Sequence, residues 1–219
     1  ISLARLKRAA TLSPGAVQVV LPDWYPVSEL EASAFLSRMA EAAGGIGIVL
    51  YNAPHAKAQL SPAAIGRLAS ETRALVGVKT AGGDDAWYVL MRACCPGLSL
   101  FVPGHLLASG VQRGAHGSYS NVACLNPAAA QRWTDQMQSD LDAALELESR
   151  LRSFMEDCIV PYITRGGYCT GACDRLLALI GQWTDVGARM RWPYRSIPAD
   201  EAVRLREIAR TRVPEFFES

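Results

Sequence analysis

Two residues of this chain stand where a reactive group would have to stand. Lys79 continues the apolar run Leu75–Val78, and Tyr51 continues the run Ile46–Leu50 in the same way. A lysine that prolongs a buried run is unusual, because an unpaired ammonium is costly to take out of water. Apolar surroundings lower the pKa of such an amine and raise the share of neutral nitrogen able to attack a carbonyl carbon. The same position also suits a lysine that carries its ammonium out of the strand end into solvent. Tyr51 likewise reads either as a proton carrier or as a core ring with its hydroxyl near water. A third place for chemistry is Gly104 together with the run Gly114-Ala115-His116-Gly117-Ser118-Tyr119-Ser120, whose small residues let backbone approach a ligand closely. His105 and His116 are the titratable side chains there, and a structural role is the more common one for such histidines.

The elements that must hold these residues are legible in the apolar pattern. Short runs at Val17–Leu21, Ile46–Leu50, Leu75–Val78, Leu98–Val102 and Ala115–Tyr119 alternate with helix-period segments at Glu29–Ala43, Pro62–Thr72, Asp84–Cys94 and Leu106–Arg113. Runs of this length without polar alternation predict strands buried on both faces, hence a parallel sheet built from βα units. In such folds functional groups collect at the C-terminal ends of the strands, which is where Tyr51 and Lys79 lie. Ser28 with Glu31 three residues on forms a capping box, and Ser61-Pro62 and Asn126-Pro127 are further helix starts. From Pro127 the strands cease. Ala128–Tyr162 is helical with a break near Asp140, and Cys173–Gln182 and Ala199–Arg210 are two more helices.

Bulk properties remove several function classes. Half of the 219 residues are hydrophobic, a fifth are charged and the formal net charge is +1, so nothing calls for nucleic acid as a partner. Arg189, Arg191 and Arg195 are interrupted by Trp192-Pro193-Tyr194 and read as a solvated or interface face. No apolar run approaches the ~18 residues a membrane helix needs. Ile1–Ala10 carries three basic residues and reads as part of an amphipathic helix rather than a leader. The six cysteines form no C-x-x-C pair and read as reduced thiols of a cytoplasmic protein, with Cys169 and Cys173 one turn apart at a helix start. No metal-ligand grouping, Walker lysine or G-x-G-x-x-G loop is present, so neither a metal nor a cofactor is expected.

Taken together, Tyr51-Asn52-Ala53-Pro54, Val76-Gly77-Val78-Lys79 and Gly114-Ala115-His116-Gly117-Ser118-Tyr119-Ser120 resemble the Y-N-x-P, G-x-K and G-A-x-G-x-x-S motifs of the dihydrodipicolinate synthase / N-acetylneuraminate lyase family. The order matches, and the spacing of about 28 residues between tyrosine and lysine suits one βα unit plus a strand. The resemblance implies an α/β fold, a partial (β/α)8 TIM barrel comprising strands four to eight (residues 1–126). Residues 127–219 would form the last barrel helix and a C-terminal helical extension. It implies a class I aldolase or dehydratase in which Lys79 forms a Schiff base with pyruvate or a related 2-keto acid and Tyr51 relays protons. Gly104 and Tyr119 would line the substrate pocket. The partners implied are a small 2-keto acid and further copies of the chain, as a homotetramer, with no membrane or nucleic acid.

Departures from the family pattern refine these expectations. The arginine of Y-N-x-P-x-R is replaced by Ala56, between His55 and Lys57, which argues against a true dihydrodipicolinate synthase and towards another 2-keto acid lyase. Leu21-Pro22-Asp23-Trp24-Tyr25-Pro26 resembles the stretch that lends a tyrosine near a neighbouring subunit's site, with Trp24 where a tyrosine is usual. Val17–Leu21 resembles the fourth strand, so the first three βα units and their G-G-T/S-G-E loop are expected in a longer protein of which this chain is a piece. The competing reading is a catalytically inactive relative serving as a binding or regulatory subunit. A doubly wound nucleotide-binding domain is disfavoured because no glycine-rich phosphate loop follows the first strand.

Overall fold

The computed structural model describes residues 2–218, so Ile1 of the first helical segment lies outside the described residues. Two compact units make up the chain. One runs to Val102 and takes in Arg113–Tyr119; the other consists of Pro103–Gln112 and the residues from Ser120 onward.

In the first unit, α1 (Ser2–Ala10) precedes β1 (Ala16–Val20), α2 (Glu29–Ala43), β2 (Gly47–Tyr51), α3 (Pro62–Glu71), β3 (Leu75–Lys79), α4 (Asp85–Cys94), β4 (Ser99–Pro103) and β5 (Gly117–Tyr119). The strands lie in the order β1-β2-β3-β4-β5, and the first four pair in parallel. Every strand falls within two residues of its apolar run. The helix starts are local devices and form as the sequence predicts. Ser28 Oγ accepts from Glu31 N at 3.3 Å while Glu31 Oε2 accepts from Ser28 N at 2.7 Å, and these hydrogen bonds hold the Glu31 carboxyl below its usual range. Ser61 Oγ accepts from Ala64 N at 3.2 Å and Asp84 Oδ1 from Trp87 N at 2.8 Å, each satisfying a helix-end donor that would otherwise lack a partner. Leu36, Ile48, Leu50, Ile65, Met91 and Leu100 are fully buried and form the core beneath the helices.

One expectation fails at the edge. β1 was expected to be buried on both faces, yet only Val19 is buried, and Ala16, Gln18 and Val20 are exposed. The central β2, by contrast, buries three consecutive residues. A strand paired on one side only has one neighbour to cover it, and composition alone does not report which strand is last.

The second unit is helical. A 3-10 turn (Gly104–Leu106) leads into α5 (Leu107–Gln112). After it come α6 (Val122–Leu125), α7 (Pro127–Ser139), α8 (Leu141–Phe154), a π-helical turn (Met155–Ile159), α9 (Val160–Thr164), α10 (Thr170–Gly181) and α11 (Ala199–Arg212). The break near Asp140 is a cap: its Oδ1 accepts from Ala143 N at 3.0 Å and starts α8. The tract to Tyr162 is not one α-helix beyond that point. Pro161 has no N–H and its ring crowds the carbonyl four residues back, and Val160 N bonds Met155 O, five residues back, so the helix widens there. Asn126 caps α7 by accepting from Ala129 N at 3.1 Å, and its amide donates to Phe216 O at 2.9 Å. No helix among the described residues is long and apolar enough to cross a membrane. All six cysteines are free thiols, and burial pushes those of Cys124 and Cys173 up to about 11, which leaves them unreactive.

Glu148 is the charged residue the sequence concealed. It is 3% exposed on α8, and its Oε2 accepts from Ser109 N, in the first turn of α5, at 3.0 Å. A carboxylate there meets both a helix-end donor and the positive end of the helix dipole. Glu148→Ala removes the acceptor from a part-buried N–H and is expected to cost about 1–3 kcal/mol. Glu148→Gln keeps an acceptor of the same shape and is expected to cost less, an order that urea denaturation of the two variants checks.

Candidate active site

The strand ends build the site. β2 and β3 pair so that Tyr51 and Lys79 are direct partners, and β3 and β4 so that Lys79 and Phe101 are. Residues in one such row of a parallel sheet point to one face, so three neighbouring strands present a phenol, an amine and a phenyl ring side by side. The ladder continues past them: Asn52 N donates to Lys79 O and Thr80 N to Phe101 O, both at 2.9 Å, which fixes the backbone at each side chain's root. Gly77, two residues before Lys79 on the same face, leaves room that the Phe101 ring takes, for a Cβ there would stand 3.0 Å from Phe101 Cε2.

Lys79 is half-buried, with Nζ 4.0 Å from the centroid of the Tyr51 ring and 5.1 Å from that of Tyr119. The Tyr119 ring is held edge-on against Phe101, with centroids 5.4 Å apart and planes at 87°. Each aromatic face attracts the ammonium by roughly 0.5–1 kcal/mol. The amine is thereby confined between two phenols instead of sweeping through solvent on its four-carbon stem. Three of the four residues singled out for the site, Lys79, Tyr51 and Tyr119, therefore come together in the first unit. Gly104 lies in the second. It is buried at the start of the 3-10 turn, where a Cβ would stand 2.2 Å from Ser120 Oγ and 2.9 Å from its Cα, so its lack of a side chain serves a close approach of two backbone segments.

The loop after β2 is more tightly fixed than Y-N-A-P suggests. Asn52 clamps it at both ends of one residue, its Nδ2 donating to Leu60 O at 2.9 Å and its Oδ1 accepting from Leu60 N at 3.0 Å. Ala53 is buried, and His55 stands edge-on to the Tyr51 ring with centroids 6.4 Å apart. Lys57 ties in the segment before α2: its N donates to Asp23 Oδ1 at 2.9 Å and its Nζ to Trp24 O at 2.8 Å. Trp24 is 94% and Tyr25 78% exposed. An asparagine before x-Pro is the sequence signal for such a clamp; its partner eight residues on carries none.

The two histidines are structural. His116 Nδ1 accepts from Leu100 N at 3.1 Å while its own N donates to Leu100 O at 2.8 Å, so ring and backbone together extend the pairing of β4. His105 Nδ1 meets the Asn121 side chain at 3.0–3.2 Å, and burial depresses its pKa, keeping it neutral. No group of three or more His, Cys, Asp or Glu side chains that could hold a metal occurs among the described residues.

Comparison with known proteins gives a family and a fold. The family model described as the dihydrodipicolinate synthetase family matches residues 2–210. Among solved structures, N-acetylneuraminate lyase from Fusobacterium nucleatum is similar with a TM-score of 0.76 at 19% identity, covering 97% of this chain and 70% of that one. A prophage protein of the dihydrodipicolinic acid synthase family from E. coli, in complex with pyruvate, gives 0.79 at 16% identity, covering 96% and 70%. Dihydrodipicolinate synthase from Bacteroides thetaiotaomicron gives 0.75 at 19% identity, with 96% and 70% covered. No curated protein matches the chain.

Proposed function

We propose, for a chain that belongs to the dihydrodipicolinate synthetase family, that Lys79 is the imine-forming residue of a lyase acting on pyruvate or a related 2-keto acid. The fold of residues 1–126 is then strands four to eight of a (β/α)8 barrel, with 127–219 supplying the last barrel helix and a helical extension. The working protein is a homotetramer in the cytoplasm. The observation that carries the reading is the pairing of Lys79 with Tyr51 at adjacent strand ends, the amine nitrogen 4.0 Å from the phenol ring.

The chemistry this pair supports is addition of the Lys79 amine to the keto carbon, giving a carbinolamine. Loss of its hydroxyl as water leaves a protonated imine, which accepts an electron pair from the carbon next to it. In a longer keto acid that pair is the bond to the fourth carbon, whose hydroxyl gives its proton to a base as that fragment leaves as an aldehyde. Where the carbon is pyruvate's methyl group, the pair is that of a C–H bond. The resulting enamine takes up a proton at carbon, and water then releases the keto acid and restores the amine. The Tyr51 hydroxyl hands the proton to the departing oxygen and takes it back on hydrolysis. The family resemblance assigns substrate-binding roles to Tyr119 and Gly104 as well. Ala56, where the family motif has arginine, removes a guanidinium suited to a second carboxylate, and for that reason the second substrate is placed outside true dihydrodipicolinate synthesis. The pyruvate in the E. coli relative's structure favours the same class of keto acid.

Composition makes the test decisive, because the chain has only three lysines, Lys7, Lys57 and Lys79. Pyruvate with borohydride is expected to add one pyruvate less one oxygen atom to the peptide carrying Lys79. A protein left unmodified, or modified equally on Lys7 and Lys57, removes the proposal.

A further inference from the structure

The second unit holds a cavity of about 510 Å³ between the π-helical turn, the end of α9 and α11. Its walls follow from the sequence. Pro161 forces the wide turn and sets Asp157 and its own ring along one side. π-helical turns occur disproportionately at functional sites. After α9 the Gly166-Gly167 turn brings the chain back, so that Tyr168 N donates to Tyr162 O at 3.0 Å and the two phenol rings meet edge-on with centroids 6.1 Å apart. Arg165, Arg204 and Asp157 are the charged residues of the lining.

The charges around this cavity do not balance. Glu201 accepts from Arg204 at 2.7 Å and from the Tyr162 hydroxyl at 2.6 Å. Burial, reinforced by Glu201, pushes the Tyr162 phenol up to about 12, so it remains a neutral donor. Asp157 is paired with Arg212 at 2.6 Å. Arg195 lies 4.5 Å above the Tyr168 ring and donates to Gly166 O. Arg165 forms no ion pair among the described residues. The cavity is thus lined by one carboxylate, Asp157, and two guanidiniums, Arg165 and Arg204; Asp157 and Arg204 have ion-pair partners, and Arg165 shares the lining with Tyr162 and Tyr168 at a cavity of small-molecule size. A guanidinium fork matches the two oxygens of a carboxylate, and an edge-on phenol pair with Pro161 suits a flat apolar body.

We propose that this cavity binds a small aromatic carboxylate, its ring against Tyr162 and Tyr168 and its carboxylate on Arg165. The proposal does not rest on the Lys79 chemistry. Calorimetric titration of the full chain with benzoate, and with inorganic phosphate in parallel, tests the assignment. Benzoate is expected to bind at one saturable site that persists in Lys79→Ala. Arg165→Gln, a change at an exposed end of α9, is expected to weaken it at least about tenfold, the value of one charge-assisted contact. Tyr168→Leu is expected to weaken it as well. Absence of a benzoate response up to about 10 mM, well above the millimolar range of weak ligands, overturns the proposal. So does binding that neither substitution alters, or phosphate binding as tight as benzoate.

Discussion

Lys79→Arg is expected to lose the pyruvate adduct completely and to lower exchange of pyruvate methyl protons with deuterated water by on the order of a thousandfold or more. Methyl exchange reports enamine formation and needs no knowledge of the second substrate. Arginine keeps a cation where Nζ now stands, 4.0 Å from the Tyr51 ring and 5.1 Å from that of Tyr119. Its guanidinium does not give up a proton and so cannot condense with a ketone. The substitution therefore separates charge from nucleophilicity. Lys79→Ala removes both, and its additional cost is the lost attraction to two ring faces, about 1–2 kcal/mol in denaturant unfolding. If Lys79→Arg exchanges methyl protons at the original rate, the amine is not the nucleophile; if the unsubstituted chain itself exchanges them no faster than buffer, the reading of this chain as a ligand-binding relative without catalysis takes its place.

Much of this site was legible because its determinants are local or periodic. Strand ends follow from the length of an apolar run, and strands in register place residues at equivalent ends beside one another; Tyr51 and Lys79 needed no more than that. Caps are set by neighbours three residues apart, so Ser28, Ser61 and Asn126 read correctly in isolation. What escaped depends on contacts distant in the chain. Glu148 sits in a helix of ordinary amphipathic pattern, and only the arrival of Ser109, 39 residues away, makes its burial tolerable. The grip of Asn52 on Leu60 and of Asp23 on Lys57 likewise spans loops whose closure no period encodes. Pro161 did carry a signal, for a proline within a helical tract must disturb the hydrogen bonds before it. Whether it kinks the helix or widens it is decided by packing, which here admits a π turn. The exposure of β1 is a matter of topology, since the same residues would be covered were another strand beside them.

Tyr51→Phe is the substitution that asks what the phenol contributes beyond its ring. The ring supplies the face 4.0 Å from Nζ and the edge that meets His55, and phenylalanine retains both, so the amine stays confined and stability changes little. What disappears is the hydroxyl proposed to carry a proton to and from the carbinolamine oxygen. General acid–base assistance of this kind contributes about 10²- to 10⁴-fold, and methyl exchange is expected to fall by that factor. The imine still forms, more slowly, so borohydride and pyruvate given longer contact are expected to label Lys79 in Tyr51→Phe, whereas Lys79→Arg stays unlabelled at any time. Tyr51→Leu takes away ring and hydroxyl together and is expected to add a loss of stability to the same kinetic defect. An unaltered exchange rate in Tyr51→Phe assigns the residue to holding the lysine and moves proton transfer to another group, for which Tyr119, 5.1 Å from Nζ at its ring centroid, is the next to test.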